Sequence, residues 1–421
     1  MPNLRIKISI FLNYFLFAIL LNSVGTVILQ VQHYFGVLER SASFLEFFKD
    51  FSIAISCFIV GSFITTIGYK RSMLIALGLM TATCFTLPLV KTFIAVKLLF
   101  AISGICFGLI KVSVYGTIGL ITKNEKEHIS FMNFIESFFS VGIFAGYFVF
   151  SYFIDDNNAA SARWFNVYYV LGAISIIAFI LLLSAPLNES EAKSKSTNVS
   201  DEFIGMFKLI VWPVVISFII CAFVYVLIEQ GTMSWLPTFN NKVLNLPSSI
   251  SVQITSILAA SYAAGRFFAG IVMKRLNWYI VLSFCLLATA SLILIALPLA
   301  GKGGAKVIST WADVPVAAYI FPLIGFFLAP VYPAINSVIL SALPKNKHGV
   351  MTGLIVVFSA LGGTLGSFIT GSIFQFYGGQ TAFYFSLIPI TILVIALFVF
   401  RKAKNKTVAE EINTNLVAEY V

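Results

Sequence analysis

The sequence predicts an all-α membrane protein with twelve transmembrane helices in two six-helix halves. Three observations carry that prediction. Charged residues are 10% of the 421 and hydrophobic residues 59%, with a mean hydropathy of +0.97, whereas soluble domains hold about 25% charged residues. Apolar runs long enough to cross a bilayer, about 20 residues each, recur along the whole chain. The runs fall as six, a polar gap, and six more.

The first six runs lie at 8–36, 46–68, 72–91, 95–121, 129–153 and 164–186, and the second six at 209–239, 250–273, 277–300, 314–342, 348–373 and 379–400. These bounds make 1–187 an N-terminal half, 188–208 a linker, 209–400 a C-terminal half and 401–421 a tail. The stretch NESEAKSKSTNVSDEF (188–203) is polar and poor in aromatics, so it cannot bury a core and reads as a surface linker. The opening MPNLRIKIS turns apolar without an A-x-A site, which reads as an uncleaved first helix with a basic flank.

Orientation follows from the basic residues. With the N-terminus inside, 17 Lys and Arg fall in cytoplasmic segments and 8, Lys49 among them, in outside segments, while Lys111 and Arg266 fall within spans. That asymmetry puts both termini in the cytoplasm of a bacterial inner membrane. It also accounts for the net charge of +10 without any nucleic-acid partner. Cys57, Cys84, Cys106, Cys221 and Cys285 all lie in apolar runs and form no CxxC pair, so they read as buried thiols.

The halves repeat. Gly61-Ser-Phe-Ile-Thr-Thr-Ile-Gly-Tyr-Lys-Arg71 aligns without a gap on Gly265-Arg-Phe-Phe-Ala-Gly-Ile-Val-Met-Lys-Arg275. His128, Phe138, Gly142, Gly146 and Phe148 sit 220 residues before His348, Phe358, Gly362, Gly366 and Phe368. Aligning Gly104 with Gly325 makes Tyr332 the counterpart of Lys111. A parallel six-plus-six repeat implies a solute site between the halves near mid-membrane.

On these residues the chain resembles the major facilitator superfamily. That family's span 2–3 loop usually reads G-x-x-x-D-R-x-G-R-R; here Gly61, Gly68, Lys70 and Arg71 keep the frame, and Thr65 and Thr66 replace the acid–base pair. Within the superfamily the second half is similar to the fucose permease group and TsgA-like proteins. The residues that carry this are Tyr225-Val-Leu-Ile-Glu-Gln-Gly-Thr-Met-Ser-Trp-Leu-Pro237, Gly265-Arg-Phe and Tyr332-Pro333. The resemblance implies a secondary transporter of a small polar solute, a sugar by class, coupled to protons and working as a monomer. It also implies acids in spans 1 and 4, where this chain has Gly25 and Lys111. The two-acid coupling scheme of that group therefore does not carry over.

Charges inside spans are costly and are functional candidates. Lys111 and Glu136 sit at similar depth in the span 4–5 hairpin and are expected to pair, as a cavity pair that solute or a proton breaks or as a permanent packing bridge. Glu229 lies beside Gln230, with Gly231, Ser234 and Pro237 following, which predicts a span that bends or unwinds. A carboxylate beside an amide suits sugar hydroxyls. Trp235 is expected either to stack on a sugar face or to anchor at the interface. With Gly25 and Lys111 in place of acids, Glu136 and Glu229 are the deep acids expected to couple protons. Arg266 and the basic pairs Lys70–Arg71 and Lys274–Arg275 read as structural or gating residues, Arg266 as a latch on helix carbonyls. Asn22, Tyr332 and Asn336 join the candidate solute contacts, with Asn13, Gln30, Gln32 and Tyr262 behind them as helix-packing groups.

The three His lie near span ends, and no paired-His, G-x-S-x-G or Walker pattern occurs. An enzyme, an ATP-driven pump, a metal site and a bound cofactor are therefore not expected. The readings that compete with solute import are an exporter of drugs or metabolites and, from another class, a non-transporting membrane receptor.

Overall fold

The structure is a computed structural model. It describes the backbone of residues 4–121, 125–189, 209–273, 275–300, 308, 310–343 and 348–419. Side chains are described within these segments except at 58, 61–63, 65–66, 119, 125–130, 132–134, 136–137, 341, 348–350, 352–353 and 407–419.

Helices occupy all twelve apolar runs. In lipid every backbone N–H and C=O must be satisfied within the segment, so an apolar run of this length has no other stable form. Span 1 is Leu4–Asn22 followed by Val24–Phe35, span 2 is Phe44–Ile67, span 3 is Tyr69–Val90 and span 4 is Phe93–Ile121. Span 5 is Glu125–Tyr152 and span 6 is Val167–Ser184. Span 7 is Pro213–Lys242, span 8 Ser248–Val272 and span 9 Trp278–Ala300. Span 10 is assembled from Ala317–Ile320, Phe321–Leu323, Ile324–Leu328 and Val331–Ser341. Pro322 and Pro330, which lack an N–H donor, sit at its breaks. Span 11 is His348–Tyr377, and span 12 is Gly379–Phe385 with Leu387–Glu419. Among the described residues, ten helices are long and apolar enough to cross a membrane. Exposed apolar side chains recur at helical spacing, as Ile280, Phe284 and Leu287 do on span 9, and this is the lipid-facing pattern.

The chain forms two compact units. The first holds 1–198, 233–259 and 304–315; the second holds 199–232, 260–303 and 316–421. Within the first, spans 1 and 5 meet backbone to backbone: a β-carbon on Gly142 would stand 2.7 Å from Ala18 Cβ and 2.8 Å from Phe15 O. Gly146 lies one turn on, against Ile19. Within the second, spans 7 and 11 make the same seam, Gly362 against the Phe223 carbonyl and Gly366 against the Leu227 carbonyl. The repeat read from sequence is thus built into the packing of each unit.

Span 7 differs from its expectation. It is one continuous 30-residue helix through Gly231 and Pro237, neither unwound nor broken. Pro237 still removes one N–H, and the carbonyl it would have served, four residues back, is that of Met233. Gly25 of span 1 packs against that carbonyl: a β-carbon there would lie 2.9 Å from both Met233 O and Ser234 O. An acid at position 25 has no room in this arrangement.

Candidate functional site

Two buried charged clusters stand in the bundle, one in each unit. In the second unit, Tyr225 and Glu229 are one turn apart on span 7, and the Tyr225 hydroxyl donates to Glu229 Oε1 at 2.9 Å. Arg266 of span 8 brings Nη2 to 3.6 Å from the same oxygen. The Tyr332 ring of span 10 stacks on Tyr225, centroids 5.4 Å apart at 19°, and its hydroxyl shares a 2.7 Å hydrogen bond with Ser359 of span 11. Asn336 follows one turn after Tyr332, beside that hydroxyl. Packing dictates the placement. Gly265 has its α-carbon against the Phe326 carbonyl, which holds span 8 on span 10 and sets Arg266 where Glu229 can meet it. The two charges differ in access: Glu229 is 12% exposed and Arg266 48%. The pair presents a wet guanidinium on a dry carboxylate, with the Tyr262 ring 5.8 Å beneath the cation. Such a group can exchange its ion pair for hydroxyls of a solute.

In the first unit, span 2 opens with a triad that sequence reasoning missed. Glu46, Lys49 and Asp50 are 0%, 5% and 8% exposed. The Lys49 ammonium contacts the Glu46 carboxylate and lies 3.4 Å from Asp50 Oδ1. Ser234 Oγ of span 7 donates to Glu46 Oε2 at 2.8 Å. Two expectations are corrected here. Lys49 is not a loop charge, and Glu136 and Glu229 are not the only acids deep in the spans. The signal was present as acid, base, acid at i, i+3, i+4, which places all three on one helix face. It was obscured because the exposed Arg40 and the partly exposed Glu39 stand just before it.

The other predicted residues fall as follows. Lys111 is half-buried between Phe107 and Tyr115, 5.8 and 6.0 Å from the ring centroids. Glu136 is on span 5, and its side chain lies outside the described residues, as do Lys274 and the surroundings of Gly61; the expected Lys111–Glu136 pair therefore falls outside them too. Gln230 is half-buried, and Trp235 is fully buried. Asn22 donates to its own helix at Ala18 O, 2.9 Å away, as Asn13 does to Ser9 O at 2.7 Å and Gln32 to Ile28 O at 3.1 Å. In the register of the glycine seams Asn22 is the counterpart of Gln230. Arg266, expected on helix carbonyls, turns to Glu229 instead. Lys70 takes that capping role: its Nζ donates to Leu183 O and Ala185 O, the end of span 6, at 3.0 and 2.6 Å. Its backbone N–H donates to Glu189 Oε1 at 2.7 Å, so a carboxylate caps the start of span 3. Gly68 makes the turn between spans 2 and 3 at φ 95°, a conformation that favours glycine. Arg71 and Arg275 are exposed.

The five cysteines are all free, and no cluster of three metal-ligating side chains occurs among the described residues.

The chain matches the Major Facilitator Superfamily over residues 10–367 and 303–417. It belongs to that superfamily. Relatives include the protein TsgA homolog of Buchnera aphidicola subsp. Acyrthosiphon pisum, 23% identical over 388 residues that cover 92% of each chain. The protein TsgA homolog of Yersinia enterocolitica is 25% identical over 371 residues, covering 87% of this chain and 86% of that one. Solved structures with the same fold include the nucleoside transporter NupG, at TM-score 0.73 and 17% identity over 95% of this chain and 100% of that one. The D-xylose–proton symporter aligns at TM-score 0.72 and 13% identity, over 94% and 97%. The transporter FucP in its outward conformation aligns at 0.61 and 15%, over 96% and 99%. The twelve spans are those of the major facilitator fold, and the protein is a multi-pass membrane transporter of that superfamily.

Proposed function

We propose that this transporter moves a small polar solute, a sugar by class, by alternating access coupled to protons. The observation that carries the reading is the Tyr225–Glu229–Arg266–Tyr332 cluster. It supplies a carboxylate, a half-exposed guanidinium and two phenol groups, the donors and acceptors that a hydroxyl-rich solute needs. The likeness in fold to a D-xylose–proton symporter and to FucP supports the solute class.

Gln230 and Asn336 extend the proposed solute contacts, and Asn22, Lys111 and Trp235 add candidates from the rest of the chain. Glu229 is proposed to carry a proton, with Glu136 as a second carrier. The halves at 1–187 and 209–400 are proposed as the rocking bodies. Both termini are proposed to face the cytoplasm of an inner membrane, which reporter fusions at 188–203 and after Val421 test.

Uptake of labelled sugars and nucleosides by cells expressing the chain, with and without a protonophore, decides the reading. Accumulation of a sugar that collapses with protonophore is expected. Glu229→Gln should stop accumulation and leave counterflow exchange running. Export of the same solutes, or no movement of any, overturns the proposal.

A further inference from the structure

The geometry of the span 2 triad points to a proton-binding site at Asp50 that is filled when one end of the transporter closes. The inference deepens the function proposed above and rests on its alternating-access part.

The end in question is held shut by contacts inside the first unit. Span 7 from Met233 onward and the start of span 8 are tied to spans 1, 2 and 5. Glu39 pairs with Lys242 at 2.6 Å, His33 shares a 3.1 Å hydrogen bond with Asn241, and the Ser249 N–H donates to Asp156 at 2.9 Å. Gly25 against Ser234 and the Ser234–Glu46 hydrogen bond lie deeper. Alternating access requires all of these to part, and parting the last one opens the triad to water.

Charge decides what the closed state holds. Two carboxylates and one ammonium, all ionised, carry one net negative charge. Buried ions persist only when paired and hydrogen-bonded. Glu46 has two donors, Lys49 and Ser234. Among the described residues Asp50 has Lys49 alone, at 3.4 Å, with its residue 8% exposed. Among the described residues, the charged groups acting on Asp50 are Lys49 and Glu46 of its own helix. The elements packed against span 2 bring titratable groups of their own. Span 4 carries Lys97, Cys106, Lys111 and Tyr115, span 3 carries Tyr69, Lys70, Arg71 and Cys84, span 7 from Met233 onward carries Lys242, and the segment before span 2 carries His33, Tyr34, Glu39 and Arg40. Span 4 meets the triad with backbone, Gly104 against the Lys49 carbonyl. Burying the triad therefore favours a neutral set, in which the carboxyl group with fewer donors, Asp50, carries a proton taken from water. Opening hydrates Asp50 and frees that proton. Closure at this end and capture of one proton are then a single event.

The sign is fixed by linkage. The closed state binds one more proton, so closure is favoured as pH falls, and the closed-to-open ratio drops by up to about tenfold for each pH unit of rise. A spin-label pair at Leu38→Cys and Asn245→Cys, in a background lacking the five native cysteines, reads this end directly by distance, without solute or gradient. The short-distance population should fall with rising pH in the otherwise unchanged transporter and be independent of pH with Asp50→Asn. An identical pH dependence in both, or none in the parent, overturns the inference.

A second measurement needs no variant. Of the five aspartates, only Asp50 lies in an apolar run, the others being 155, 156, 201 and 313. Labelling aspartate with carbon-13 should shift an infrared band of a protonated carboxylic acid in the purified protein at neutral pH; the lack of any such band overturns the inference. Uptake that ignores protonophore while closure still follows pH would sink the proton-coupled import reading and leave the site standing.

Discussion

The clusters on spans 2 and 8 hold the same chemistry and differ in access to water. Glu46, Lys49 and Asp50 are sealed, whereas Arg266 keeps 48% of its side-chain surface open over Glu229. They also break the repeat that the backbone obeys. In the register of Gly61 and Gly265, Glu46, Lys49 and Asp50 correspond to Ile250, Gln253 and Ile254, and Arg266 corresponds to Ser62. Equivalent helices thus carry their charges at opposite ends. The glycine seams are shared because they fix the fold, while the charges are not shared. A sealed cluster suits a bare proton and an open one suits a solute.

That contrast predicts a ranking of effects. Lys49→Met leaves the Glu46 carboxylate buried without its cation, which costs about 3–5 kcal/mol. It should lower the thermal unfolding midpoint in detergent or prevent expression. Adding Glu46→Gln should recover most of the loss, and an additive loss would separate the pair.

Arg266→Ala should be far gentler to the fold, since the guanidinium is half in water. Its transport should fall by about ten- to a hundredfold, one charge-assisted hydrogen bond to the solute being worth roughly 1.5–3 kcal/mol. Equal damage to folding by Arg266→Ala and Lys49→Met would erase the distinction between the clusters.

Gly25→Val tests the seam that hides the triad. A side chain against Met233 O and Ser234 O overpacks the closed form by about 1–3 kcal/mol. A cysteine at the fully buried Thr238 should then react with maleimide roughly tenfold faster or more. An unchanged rate would show that this crossing does not hold the end closed. At the bottom of the ranking, Lys242→Ala removes a surface ion pair and should change the same rate by a factor of about two or less.

The architecture was legible because a bilayer allows so few solutions. Twelve apolar runs of the right length leave helices as the one way to satisfy their backbones, and the glycines repeated 220 residues apart marked equivalent spans of the two halves. Sites were legible only in part. Glu229 and Tyr332 could be read as candidates from their setting, but their meeting with Tyr225 and Arg266 depends on the Gly265–Phe326 crossing, which no local pattern announces. Asp50 was lost for the opposite reason: the run at 46–68 takes in Glu46, Lys49 and Asp50, but Lys49 was counted with the outside charges and the two acids beside it drew no reading. Helical phase groups these three on one face that turns inward.

The two glycine seams also set how the molecule responds to force. At Gly142, and at Gly362 and Gly366, spans 1 and 5 and spans 7 and 11 come within reach of each other's backbone, which leaves little at those points to stretch. Load applied to one member passes to the other almost undiminished. A tip pulling on the tail drags span 12 first, then meets span 11, which cannot leave until it slides off span 7. Extraction from a membrane should therefore proceed in steps whose length counts helix pairs, and the tallest rupture should come where a seam gives way.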